Sequence, residues 1–180
     1  MFQIFYPDEY KASAYVVDFE KLYERGFRGI IFDIDNTLVP HGAPSDNRAL
    51  RLFERLRSAG FDTCLISNNQ EPRVKPFAED VKSKYIYNAH KPSIKNYRKA
   101  MELMGTNEDT TVFIGDQLFT DIWGAKRTGI RSILVKPIYP KEEIQIVLKR
   151  YLEKIVLYFY KRSVKREVTV NGNEQEQKKG

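Results

Sequence analysis

The chain has 180 residues, room for one domain with a full core, and its 42% hydrophobic and 30% charged content is that of a soluble globular protein. No apolar run is long enough to cross a bilayer, and the N-terminus lacks the basic, apolar, small-residue order of a signal peptide. The single cysteine, Cys64, excludes an internal disulfide framework and fits a reducing, cytoplasmic setting; with only two histidines beside it, a His/Cys zinc site is disfavoured. The net charge of +6 invites a polyanionic partner: nucleic acid, an anionic membrane face or a phosphorylated substrate.

From the N-terminus, Tyr6-Pro7-Asp8-Glu9-Tyr10 reads as a turn leading into an extended piece. Asp18 is placed to cap a short helix over Phe19 to Arg25, closed by Gly26. A first strand, Arg28 to Asp33, is apolar throughout its interior, as in the centre of a parallel sheet, and ends in Asp33-Ile34-Asp35-Asn36-Thr37. Ser45 or Asp46 caps a helix to about Ala59, with Leu50, Phe53 and Leu56 at helical spacing. A second strand, Phe61 to Ile66, ends in Ser67-Asn68-Asn69, and a helix opens at Pro72, where Pro76 should shorten or bend it.

A third strand, Lys84 to Tyr87, runs into His90-Lys91-Pro92, and a helix follows from Ser93 to Met104. A fourth strand, Thr110 to Ile114, ends in Gly115-Asp116. A helix from Leu118 to Arg127 and a fifth strand, Ile130 to Val135, complete the pattern. The segment Lys141 to Arg162 has the spacing of an amphipathic helix whose apolar face, including Leu152, Ile155 and Phe159, is expected to pack mostly on the sheet. Its Tyr158-Phe159-Tyr160-Lys161-Arg162 end also suits a membrane interface. Residues 163–180 turn polar and read as a disordered tail outside a single domain of residues 1–162.

Alternating strands and helices specify an α/β domain with a mainly parallel sheet. Asp33, Asp35, Ser67, Asn68, Lys91 and Asp116 all fall at or just beyond strand C-termini, which share one edge in such a sheet and form its ligand-binding side. Loop aspartates that merely cap helices are the structural alternative. Carboxylates gathered there require compensation, and a magnesium ion between Asp33 and Asp116 would supply it. A phosphate would bridge to that ion and accept hydrogen bonds from Ser67, the Asn68 main-chain amide and Lys91. One aspartate of the pair can attack phosphorus, and the other can exchange the proton.

Asp33-Ile-Asp35-Asn-Thr37 matches the DxDxT first motif of the haloacid dehalogenase-like (HAD) hydrolases. Ser67, Lys91 before Pro92, and Gly115-Asp116-Gln-Leu-Phe-Thr-Asp121 stand as its second to fourth motifs, in order. More narrowly, Tyr6-Pro-Asp-Glu, Ile66-Ser-Asn-Asn and His90-Lys-Pro resemble the YqeG family of subfamily IIIA phosphatases, related to phosphatidylglycerophosphate phosphatases. The resemblance implies a five-stranded parallel sheet of order 5-4-1-2-3. It implies Asp33 as nucleophile, and Asp35 as general acid/base that also offers its carbonyl to magnesium. Thr37, Ser67 and Asn68 would serve the phosphate and the nucleophile loop, Lys91 would neutralise charge, Asp116 would ligate the metal and Asp121 would support the loop. The linking segments are too short for a substantial cap domain. The expected substrate is an anionic phospholipid, phosphatidylglycerophosphate, met at the inner face of a membrane. A soluble or polynucleotide phosphomonoester, or a non-catalytic RNA- or ribosome-associated role, is the alternative.

Overall fold

The computed structural model of the chain describes residues 3–139 and 152–162. Six parallel strands form one sheet: β1 (Glu9–Lys11), β2 (Gly29–Phe32), β3 (Asp62–Ile66), β4 (Lys84–Ile86), β5 (Thr111–Gly115) and β6 (Arg131–Val135). Their spatial order is β1-β6-β5-β2-β3-β4. The five expected strands therefore stand in the expected order, but the sheet has six strands, not five.

The additional strand is β1, which pairs with β6 from Glu9↔Ile133 to Lys11↔Val135. Its Glu-Tyr-Lys sequence carries no alternating apolar pattern, so pairing at the sheet edge is what makes it a strand. Asp8 fixes the register. Its carboxylate accepts hydrogen bonds from the Ser132 N–H (2.8 Å) and hydroxyl (2.9 Å) and pairs with the Lys126 ammonium (2.5 Å).

Helices α1 (Phe19–Glu24), α2 (Asn47–Ser58), α3 (Glu71–Val81), α4 (Ile94–Met104) and α5 (Trp123–Thr128) flank the sheet. Central β2 is buried along its whole length, and alternate side chains leave it toward opposite layers. Ile30 and Phe32 join a core with Phe19 of α1, Phe53 of α2 and Phe77 of α3. Ile31 joins a second core with Tyr97 and Met101 of α4 and Ala125 of α5. The result is three layers with the sheet in the middle and no inserted cap domain among the described residues.

Local details depart from the sequence pattern in four places. In α2 the buried stripe is Ala49, Leu52, Phe53 and Leu56, spaced i, i+3, i+4, i+7, and Leu50 is 37% exposed. Helix α3 continues through Pro76 to Val81 rather than stopping short. The segment expected as a regular helix from Leu118 begins instead with a π-helical turn, Leu118–Ile122, and α5 follows it.

The fourth concerns the C-terminal helix, described over 152–162. Glu153 and Val156 are buried, and Tyr160 packs against the Tyr6 ring at 5.2 Å. Leu152, Ile155 and Phe159, expected to face the sheet, are instead 43–50% exposed, as is Tyr158 at 60%. On the inward 153/156/160 face the Glu153 carboxylate accepts the Leu118 N–H at 3.0 Å and Val156 packs with Leu118, Ile122 and Leu134. The first part of the expected helix, 141–151, and the expected polar tail, 163–180, lie outside the described residues.

Candidate active site

Strand register brings the motifs together. Phe32 stands opposite Ile114 of β5 and Leu65 of β3. The next residues in each chain segment therefore reach the same C-terminal edge: Asp33 after β2, Asp116 after β5 and Ser67 after β3. Asp33 N–H continues the ladder by donating to the Ile114 carbonyl at 3.0 Å. From β4, Ala89 N–H donates to the Ser67 carbonyl (2.8 Å) and Lys91 N–H to Asn68 Oδ1 (2.7 Å), which carries Lys91 back over the end of β3. The strand order reverses between β2 and β5, so the edge is also a switch point of the kind where α/β sheets bind ligands.

Lys91 sits inside a carboxylate cluster, with Nζ 2.5 Å from Asp33 Oδ1 and 2.7 Å from Asp121 Oδ1. Burial penalises its charge, but Asp121 and Asp33 outweigh that penalty and hold the ammonium charged. Asp33 has the reverse problem. Burial, with Asp121 and Asp116 adding to it, pushes its carboxyl well above the usual range against the pull of Lys91. One ammonium cannot balance three neighbouring carboxylates.

Asp33, Asp116 and Asp121 have carboxylate oxygens within 4.8 Å of one another. Against the single lysine they leave a formal excess of two negative charges, and a hard divalent cation with oxygen ligands answers that excess. The donor set thus fits a metal ion.

Asp121 is already committed within this cluster. Its Oδ1 holds Lys91, and its Oδ2 accepts the N–H groups of Asp116 and Gln117, each at 3.1 Å. The π-helical turn is what folds this carboxylate back: Asp121 and Ile122 N–H both donate to the Gln117 carbonyl, at 3.0 and 3.1 Å. Gly115 completes the arrangement, because a Cβ there would collide with Asp121 Oδ2. Behind the turn the buried Tyr97 hydroxyl donates to the carbonyls of Thr120 (2.9 Å) and Asp121 (3.2 Å). The sequence marks Tyr97 only as an apolar position of a helix; its hydroxyl role has no local signal.

Thr37 Oγ1 lies between two carboxylates, 3.4 Å from Asp33 Oδ2 and 3.3 Å from Asp116 Oδ1. Asp35 points elsewhere. Its carboxylate accepts from Gly42 N–H (2.7 Å), Asn69 Nδ2 (2.6 Å) and Arg73 Nη2 (2.8 Å), two side chains that the motif reading does not single out.

The polar groups open on a cavity of about 130 Å³ lined by Asp33, Asp35, Ser67, Asn68 and Lys91, with His41 at its wall. That volume is well below the roughly 300 Å³ at which pockets begin to enclose a drug-sized ligand, so it suits a small polar group. A larger cleft of about 330 Å³, lined by Tyr15, Arg48, Arg51 and Arg55 among others, contains none of the carboxylates. Cys64 takes no part: it is buried in β3, and burial pushes its thiol up to about 12.

Known proteins agree with this geometry. A family model described as HAD-hydrolase-like matches residues 88–138. "Probable phosphatase YqeG" of Bacillus subtilis (strain 168) is 37% identical over 161 residues, which cover 89% of this chain and 94% of that protein. "Phosphatidylglycerophosphate phosphatase 1, chloroplastic/mitochondrial" of Arabidopsis thaliana is 26% identical over 77% of this chain, which spans only 45% of that longer protein. Among solved structures, an uncharacterized protein from Corynebacterium glutamicum superposes with a TM-score of 0.51 at 19% identity, over 73% of this chain and 93% of that one. A hypothetical protein from Xanthomonas campestris gives 0.52 at 18% identity, over 71% and 76%. Both share the fold. The chain belongs to the HAD-like hydrolases and, within them, to the YqeG-like phosphatases.

Proposed function

We propose that the chain hydrolyses a phosphomonoester through an aspartyl-phosphate on Asp33, and that its substrate is phosphatidylglycerophosphate. The observation that carries the reaction is the convergence of Asp33, Asp116 and Asp121, from beyond the adjacent central strands β2 and β5, with Lys91 from the segment after β4.

Asp33 attacks phosphorus: its Oδ–P bond forms as the bond from phosphorus to the leaving alcohol breaks, and Asp35 gives that alcohol oxygen a proton. Water then attacks phosphorus, the bond to Asp33 breaks, and Asp35 takes the proton back. Lys91, the Ser67 hydroxyl and the Asn68 main-chain N–H hold the phosphoryl oxygens as charge shifts among them. Ser67 Oγ already accepts the Asn69 N–H at 3.2 Å, which leaves its own hydrogen to donate. Thr37 steadies the Asp33 carboxylate, and Asp121 holds the loop that carries Asp116. A magnesium ion held by Asp33, Asp116 and the Asp35 carbonyl would polarise the phosphoryl oxygens and shield the nucleophile from their charge.

Several observations bear on a lipid substrate. The small cavity admits a phosphoryl group while the rest of the molecule stays outside, and no cap closes over it among the described residues. The outward face of the helix at 152–162 presents Leu152, Ile155, Tyr158 and Phe159 beside Lys154, Lys161 and Arg162, a basic-aromatic surface suited to the inner, anionic face of a membrane. No helix of the described residues is long and apolar enough to cross one. The relative from Arabidopsis bears the name of that activity.

The test is magnesium-dependent phosphate release from phosphatidylglycerophosphate in mixed micelles, beside a small aryl phosphate, by wild type and Asp33→Asn. Efficient release from the lipid, lost in the variant, is the expected result. Release from the aryl phosphate alone would keep the mechanism and refute the substrate.

A further inference from the structure

The Asp35 carboxylate is clamped by groups from three separate places: Gly42 N–H in the loop after β2, Asn69 in the turn after β3 and Arg73 in the first turn of α3. The donors are unequally divided. Oδ1 receives both Gly42 N–H and Arg73 Nη2, whereas Oδ2 receives only Asn69 Nδ2. A carboxylate oxygen has two lone pairs, so Oδ1 is saturated and Oδ2 retains one.

Arg73 is devoted to this contact. Its side chain is 21% exposed, and among the described residues its guanidinium has no hydrogen-bond partner except Asp35. Its Nε is buried without a partner, and the group packs over the Phe77 ring, 5.7 Å from the centroid, one helical turn on. The ring supports the guanidinium from one side while Nη2 engages Oδ1. Arg73 is not part of the cavity wall, so it acts from behind Asp35 rather than on the substrate.

We infer that Arg73 is a positioning residue for proton transfer: it fixes Oδ1 so that Oδ2 of Asp35 is the oxygen that meets the leaving alcohol and, later, the attacking water. The inference rests on the acid/base role proposed for Asp35. It adds no catalytic group; it assigns the geometry of one. A misplaced proton donor matters most when the leaving oxygen is basic, because an alkoxide must be protonated to depart whereas a nitrophenolate leaves unaided.

The experiment compares wild type, Asp35→Asn, Arg73→Met and Arg73→Lys on an alkyl phosphomonoester and on p-nitrophenyl phosphate, with kcat and KM measured separately. Circular dichroism and thermal melting check that each variant is folded. Arg73→Met is expected to lower kcat/KM for the alkyl ester by roughly 10- to 100-fold, the scale of a misoriented catalytic group. For the aryl ester kcat/KM should change by no more than about threefold, because it reports only the steps up to departure of the alcohol, whereas kcat, which includes the common attack of water, can fall for both. Arg73→Lys, which keeps the charge without the fork, should recover part of the loss and serves as the folded comparator if the methionine variant is unstable.

An equal loss of kcat/KM on both esters in either variant, or no loss on the alkyl ester, would overturn the inference. Asp35→Asn separates it from the reading beneath: if kcat/KM in that variant fails to discriminate between the esters, the acid/base role itself falls, and the role of Arg73 falls with it.

Discussion

Lys91 and Asp121 form a salt bridge of 2.7 Å in which the lysine side chain is 5% exposed and the aspartate not at all. The same ammonium serves Asp33, so the lysine that would neutralise the reacting phosphate also balances the buried carboxylates. Removing it strands three carboxylates. Lys91→Met should cost about 3–5 kcal/mol, the range for breaking a buried pair from one side, and abolish turnover. Millimolar magnesium should restore part of the lost stability if the carboxylates hold a divalent cation. Thermal melts with magnesium and with a chelator check this; identical melts would leave the cluster without a metal.

Gly115→Ala tests the close approach of Asp121. The new methyl group would meet the Asp121 carboxylate and lie 2.7 Å from Phe113 Cε1. Overpacking of this kind costs about 1–3 kcal/mol, and the shift of Asp121 away from the Asp116 and Gln117 amides should reduce kcat by about tenfold or more. Urea denaturation and steady-state kinetics give the two numbers. Wild-type kcat in the alanine variant would show that Asp121 need not hold its observed place.

Tyr97→Phe removes one buried hydroxyl and leaves the Thr120 and Asp121 carbonyls without that donor. A loss of about 1–2 kcal/mol is expected from denaturant unfolding. Burial, reinforced by Asp121, raises the Tyr97 hydroxyl far above its ordinary value, so Tyr97 should add no phenolate while the protein remains folded, and wild type and Tyr97→Phe should give the same spectrophotometric titration.

Asp8 sets a pH dependence remote from the site. Burial alone would raise its carboxyl, but Lys126 and Ser132 outweigh burial and hold it below the usual carboxylate range. The unfolded chain therefore binds this proton more readily than the folded one. The stabilisation is complete above the unfolded value, about 4, and is lost as pH falls through the lower folded value. Because the group is half-exposed, about 1 kcal/mol is expected at pH 7. Urea melts between pH 7 and pH 3 should show Asp8→Asn less stable at neutrality and converging on wild type in acid.

The parts of this molecule legible in the sequence are those that local chemistry dictates. Ile30 to Asp33 is unmistakable because an apolar run must be a buried strand and a carboxylate at its end must meet a counter-charge. Asp116 and Lys91 are legible for the same reason. Arg73 and Asn69 are not, since a polar residue after a strand or in a first helical turn looks alike whether it meets solvent or Asp35. Strand β1 escapes because a three-residue edge strand exists only through its partner. The inward face of the last helix holds Val156, packed with Leu118, Ile122 and Leu134, and Glu153, which accepts the Leu118 N–H, a combination that the apolar spacing of Leu152, Ile155 and Phe159 does not show.

The most direct test of the central claim is to trap the intermediate. Wild type and Asp33→Asn are mixed with saturating phosphomonoester and magnesium, quenched in acid within the first turnovers, digested and analysed by mass spectrometry. One phosphoryl group is expected on the wild-type peptide that contains Asp33, and neither that adduct nor turnover in the variant. A phosphoryl group on another residue, or undiminished turnover by Asp33→Asn, would contradict it.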